Sequence, residues 1–312
     1  MNSIRASLER NPSTAMDEAP ASTPAVDMPS VTWPRRRGLW HRLPISGKLA
    51  LGVILLIALV AILAPVLALP DPNVGVAAHR LRGIGSPGHL LGTDGQGRDL
   101  LSRMIWGARP SLLTGLIPVL ISTTLGTSIG ITTGMAGRRL NAVVMRVLDV
   151  FYAFPAILLA IAVATVLGSG VSNAILALSI ILIPPIARLA EAETRRVRAL
   201  DFMEAAEASG AGLLAIARRQ VLPNVGPPIL VYCTALIGLS IVYAAGLSFL
   251  GIGLRPPKAE WGLMISDLTQ FMFTKPELAI VPAAAILVVS VAFSVLGDGL
   301  RDAFDVKLGA HQ

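Results

Sequence analysis

Charge is scarce in this sequence. Of its 312 residues only 14% are Asp, Glu, Lys or Arg, against about 25% in soluble domains, too few to cover a soluble globule with polar surface. There is a single cysteine, Cys233, which excludes an internal disulfide and any multi-cysteine metal site. The four histidines are scattered along the chain and offer no metal-ligand spacing. Nucleotide motifs are missing as well. Gly47-Lys48 is followed by Leu49 instead of Ser or Thr, and Arg42 stands where the first P-loop glycine belongs. The glycine-rich stretches 92–97 and 251–253 do not follow the dinucleotide fingerprint.

What the chain has instead is apolar length. It is 54% hydrophobic with a mean hydropathy of +0.69, which points to an all-α, polytopic membrane protein. A helix needs about 20 apolar residues to cross the hydrocarbon core. The uncharged intervals are 22 residues between Lys48 and Asp71, 28 between Arg109 and Arg138, 38 between Asp149 and Arg188, 35 between Arg219 and Arg255, and 20 between Glu277 and Asp298. The 38-residue interval contains a turn signal at 168–173 and suits two helices. Six spans are therefore expected, near 49–69, 110–134, 147–167, 172–190, 227–250 and 278–297, with Pro223, Pro227 and Pro228 marking the approach to the fifth.

The formal charge of +7 follows the same layout. With both termini on one side, 18 of the 26 Lys and Arg residues fall on that side, and the positive-inside rule places it in the cytoplasm. No nucleic-acid partner is needed to explain the basic balance. Residues 1–40 read as a disordered tail rich in Ala, Ser, Thr and Pro. They are not a signal peptide, because the first apolar run begins near residue 49. The expected organisation is then a first span over 45–70, an extracytoplasmic loop over 71–108 and a five-helix core over 109–309.

The spans so counted hold no ionisable relay, which argues against a proton- or sodium-coupled carrier, and no polar constellation in them identifies a ligand. Gly126, Gly130 and Gly134, extended by Ser122, form a small-residue ridge at four-residue spacing. Such a ridge lets a neighbouring backbone approach closely, within the chain or in a partner subunit. Between the fourth and fifth spans lies a long cytoplasmic insertion, 191–224. On a helix its Met203, Ala206, Gly210, Leu213, Leu214, Ala217 and Val221 share one stripe. That stripe reads as a docking element for a protein partner, or as an amphipathic helix on the membrane surface. Gly210 implies a bend or a close backbone approach.

Within this insertion, Glu204-Ala205-Ala206, then Gly210, then Leu222-Pro223-Asn224 closely resembles the coupling loop of ATP-binding-cassette importer permeases. Three more motifs narrow the resemblance to the dipeptide and oligopeptide permeases. They are the stretch 89–103 running on through Gly107-Ala108-Arg109, the stretch 247–253 with Pro256, Pro257 and Trp261-Gly262, and the stretch 297–302 with Asp305. The resemblance spans roughly 45–309. It departs from the family pattern at Gln220, where His is usual, at Ala244, where Glu is frequent, and at Val306, where Pro is usual.

The resemblance implies the six-helix fold of type I importers. It also implies a second, homologous permease subunit, two ATPase subunits and an extracytoplasmic solute-binding protein as partners. The chain is then not an enzyme: ATP and Mg belong to the ATPase subunits and no cofactor to this chain. Glu204, Ala205, Ala206, Gly210, Leu222 and Pro223 are the expected ATPase-docking residues. Asp94, Arg98, Asp99 and Arg103 are expected to pair with one another or with helix termini, as exposed i, i+4 ion pairs worth a few tenths of a kcal/mol, or to meet a docked binding protein. The expected cargo is a di- or oligopeptide, with nickel, opines or glutathione as alternatives for the same machinery. A channel or an ion-coupled carrier is the rival of a different class.

Overall fold

The computed structural model describes residues 39–304. Most of the expected N-terminal tail lies outside these residues, as do Asp305 and Val306; Leu39 and Trp40 fall inside and begin α1 (Leu39–Arg42). The described residues form helices and loops with two isolated β-bridges, Ser86 to His89 and Thr93 to Asp99. Four helices are long and apolar enough to cross a membrane unaided: α2 (Ile45–Leu63), α3 (Leu100–Met135), α6 (Val171–Arg198) and α11 (Pro276–Phe304). A fifth crossing runs from Leu213 to Phe249 through α8 (Leu213–Ile216), a π-helical turn at Ala217–Val221 and α9 (Leu222–Phe249). The sixth is the pair α4 (Arg138–Tyr152) and α5 (Ala156–Leu167), bent by 89°. The short helices α7 (Asp201–Ala208) and α10 (Trp261–Thr269) fill the loops that follow α6 and α9.

Four of the expected spans need correction, each for a physical reason. The second begins at Leu100, ten residues early, because Arg103 and Arg109 do not end the helix. Arg109 reaches back to donate to the carbonyls of Ala61 and Ile62 at 2.6 and 2.8 Å, closing the C-terminus of α2. The first span stops at Leu63 because Pro65 has no N–H to offer Ala61. The third is not one helix: Pro155 biases Phe154 away from helical geometry and breaks the chain between α4 and α5. The fifth runs through Pro227 and Pro228, which lie inside α9, whereas Pro223 stands in its first turn as an entry residue. The π turn precedes these prolines, and the Asn224 amide donates to the Gln220 carbonyl at 2.6 Å.

The core of the bundle is the seam between α3 and α6. A Cβ on Gly130 would stand 2.5 Å from the Ala190 Cβ and 2.8 Å from the Glu191 nitrogen. One on Gly134 would lie 2.7 Å from the Thr194 Cβ, and one on Gly126 would lie 3.0 Å from the Ile186 Cβ. The small-residue ridge is thus filled by this chain's own α6. Ser122 completes it by donating to the carbonyls of Pro118 and Ser179.

Candidate functional site

The insertion after α6 bends at Gly210, the first of the two alternatives that residue left open, and forms two short helices. Gly210 has φ +75°, which an L side chain rarely adopts, and a Cβ there would meet nothing within 4 Å. The glycine is therefore required for a turn and not for close packing. It separates α7 from α8. Met203, Ile216 and Val221 point inward and join one hydrophobic cluster with Val197 on α6 and Val225 on α9. Glu204 and Ala205 are exposed, Ala206 is half-buried, and Leu213 and Leu214 are 72% and 73% exposed. Leu222 and Pro223 lie exposed at the start of α9. The segment offers acidic and apolar groups outward while its inner side is keyed into the two helices that flank it.

At the other end of α3 the charged motif is buried. Asp94, Arg98 and Arg103 are each no more than 2% exposed. The Asp94 carboxylate accepts from Arg98 Nε at 2.6 Å and lies 3.4 Å from Arg103 Nε, while its other oxygen accepts from the backbone N–H of Gln96 and Arg98. Arg103 also donates to the carbonyls of Pro72 and Pro257 at 2.8 and 3.1 Å. Asp267 on α10 adds a second carboxylate, 3.2 Å from Arg98 and 4.0 Å from Arg103. The cluster ties three separate stretches of chain together, and its guanidinium groups face inward. The residues pair with one another as expected, Asp94 with Arg98 and Arg103, but as desolvated charges and not as exposed ones.

Asp99 is not paired with Arg103 through its side chain. It caps α3, accepting from the Ser102 N–H at 2.8 Å, and its other oxygen contacts His89 Nδ1 at 2.9 Å. His89 in turn meets His79, 3.1 Å away. Two of the four scattered histidines are therefore neighbours in space, a proximity that a separation of ten residues in a loop does not reveal.

One residue that the sequence reading passed over is Glu260, 1% exposed. It caps α10, with its carboxylate accepting from the N–H groups of Gly262 and Leu263 at 2.9 and 2.8 Å. The Ser111 hydroxyl donates to it from α3 at 3.2 Å. Burial pushes its carboxyl above the usual carboxylate range, against these hydrogen bonds and one from Ser248, which pull the other way. The signal was an acid directly before Trp261-Gly262, an N-cap position. Glu260→Ala leaves two buried N–H groups without acceptors and is expected to cost about 1–3 kcal/mol. Folded Glu260 holds its proton more tightly than the unfolded chain does. Its contribution therefore weakens as pH rises from the ordinary carboxylate range through the folded value. Glu260→Gln should flatten that slope in thermal unfolding across about pH 4–8; an unchanged slope assigns it to another group.

A third feature opens on the side of the bundle, where Tyr152 and Phe154 are each 58% exposed. A cavity of about 290 Å³ opens between the α4–α5 break, α6 and α9, and its walls include Tyr152, Tyr232 and Tyr243. Asp149 and Arg188, both within the expected spans, form an ion pair beside it. The expectation of spans without ionisable groups is corrected here.

Residues 126–309 match the family model of binding-protein-dependent transport system inner membrane components. The chain belongs to this family. It is the permease component of an ABC importer, a transport protein, and its setting is the inner membrane. The permease is 40% identical over 291 residues to the glutathione transport system permease protein GsiD of Pectobacterium atrosepticum, an alignment covering 92% of this chain and 96% of that one. It is 41% identical over 288 residues to the protein of the same name from Escherichia coli O6:K15:H31, covering 90% and 95%. Among solved structures, a chain of the inward-facing MetNI methionine ABC transporter superposes with a TM-score of 0.54 at 18% identity, over 65% of the permease and 97% of that chain. That likeness shows a shared fold. Importers of this kind operate with ATPase and solute-binding partners, so the permease needs a surface for each.

Proposed function

We propose that this permease pairs with a second, homologous subunit to form the path of an ATP-driven importer of small peptides, glutathione among them. The names of its relatives support glutathione, and its sequence motifs support the wider peptide class. In this reading both termini are cytoplasmic, the loop over 71–99 is extracytoplasmic and meets the solute-binding protein, and ATP with Mg is held by two ATPase subunits. The segment from Asp201 to Pro223 is the ATPase-docking element, with Glu204, Ala205, Ala206, Gly210, Leu222 and Pro223 at the contact.

The observation that carries this reading is the anchoring of α7. Its outer face is exposed, while Met203 keys it, and Ile216 and Val221 key the segment that follows it, into the cluster shared by α6 and α9. Closure of an ATPase dimer that draws α7 sideways therefore moves α6 and α9 with it, because a close-packed interior transmits displacement. Outward opening follows nucleotide binding, and hydrolysis resets the bundle.

A cysteine at Ala206, in a chain carrying Cys233→Ser, should crosslink to an ATPase subunit through a short bismaleimide. Absence of crosslinks at every position from 204 to 208, in an assembled and active complex, rules the docking role out. Uptake of labelled glutathione into proteoliposomes should stop when hydrolysis is blocked. Flux that continues without hydrolysis returns the chain to the channel or carrier class.

A further inference from the structure

Asp149 on α4 and Arg188 on α6 serve neither the coupling segment nor the buried loop cluster. Their side chains are 42% and 43% exposed, and the Arg188 guanidinium also lies over the Tyr152 ring, 5.1 Å from its centroid. Tyr152 lines the cavity described above, and so do Pro184 and Pro185, one helical turn before Arg188. The pair therefore stands at the end of the cavity nearer the coupling segment. Helices α5 and α9, which complete the walls, contain no charged residue. Glu191, the next charge along α6, is engaged by the Asn141 amide at 2.7 Å and by Arg195 at 3.5 Å.

We infer that this cavity is a transient site for the zwitterionic backbone of a small peptide on its way through the importer, with Arg188 receiving the carboxylate and Asp149 the ammonium group. The inference rests on the reading of the chain as an importer of peptides. Three physical points carry it. The planar guanidinium fork matches a carboxylate through two parallel hydrogen bonds. A zwitterion meets both charges of the pair at once, its carboxylate at Arg188 and its ammonium at Asp149, whereas a lone cation or anion engages only one of them. Consecutive prolines at 184 and 185 cannot donate to the carbonyls of Ile180 and Ile181, and carbonyls without their helical partners are tolerated at membrane depth where they lie beside a cavity. The tyrosines add amphipathic walls that accept both peptide groups and apolar side chains.

The test uses the assembled importer with its ATPase subunits and binding protein in proteoliposomes, and a dipeptide with its C-terminal amide as probes. Arg188→Gln should lower uptake of the free dipeptide by about tenfold to a hundredfold and leave uptake of the amide near the wild-type level. A second readout is Leu239→Cys, in the cavity wall of a Cys233→Ser chain. The free dipeptide should slow its modification by a charged thiol reagent several-fold, the amide should not, and Arg188→Gln should abolish the protection. Equal loss for dipeptide and amide, together with a lowered unfolding temperature, makes the pair a pin between α4 and α6 and overturns the inference. Uptake and protection independent of Arg188 overturn it too, while leaving the importer reading in place. A wild-type complex that imports neither a dipeptide nor glutathione overturns the peptide reading itself.

Discussion

Asp94→Asn is expected to destabilise this permease by about 3–5 kcal/mol, the cost of breaking a buried ion pair by removing one partner. The substitution keeps an oxygen for the N–H groups of Gln96 and Arg98, so the backbone turn at 94–98 survives. What it removes is the charge that compensates Arg98 and Arg103, 2% and 1% exposed and repelling each other. Asp267 cannot replace it. It lies 4.0 Å from Arg103, and its side chain is 27% exposed, so solvent screens it. Asp267→Asn should therefore cost about 1 kcal/mol or less. Thermal unfolding in detergent reads both variants. An Asp94→Asn protein as stable as the Asp267→Asn protein would show that the two arginines are compensated elsewhere.

Gly130→Ala should cost about 1–3 kcal/mol through overpacking, although alanine is the better helix former. The added methyl meets backbone as well as a side chain: the Glu191 nitrogen at 2.8 Å and the Ala190 Cβ at 2.5 Å. Neither is the end of a flexible chain, so α3 and α6 must separate along a seam that runs through the whole bundle. Gly52 on α2 is the internal contrast, because a Cβ there meets nothing within 4 Å. Gly52→Ala should be neutral or stabilise by up to about 1 kcal/mol. Equal effects at the two glycines would mean that the α3–α6 seam yields, and the ridge would lose its explanation.

The two substitutions bear on different working parts. The Asp94 cluster joins the loop before α3 to α10 and to the Pro257 carbonyl, so its loss should loosen the loop-side face of the bundle. The Gly130 seam lies on the route from α7 through α6 to the cavity. A mild change there should weaken the link between hydrolysis and transport before it abolishes folding.

Most of the architecture was legible in the sequence because the bilayer imposes a coarse rule. Apolar runs of about 20 residues must become helices, whatever their neighbours are. Cys233, the missing P-loop and the long uncharged runs settled the class, and Glu204-Ala205-Ala206 with Gly210 identified the family. Tertiary structure decided the rest, since it depends on which groups meet. Counting residues between charges treats Arg103 and Arg109 as ends of a helix. In the fold one is buried among carbonyls and the other closes a neighbouring helix. The same count treats Asp149 and Arg188 as the borders of an apolar interval, 39 positions apart. In the fold the chain doubles back at the 168–170 turn, and the two meet as an ion pair beside a cavity. The sequence by itself determined that this chain crosses a membrane and belongs to a transport machine, because hydrophobic length and local motifs are properties of the chain alone. Where its charges work was decided by packing, because the energy of a charge depends on what surrounds it in space.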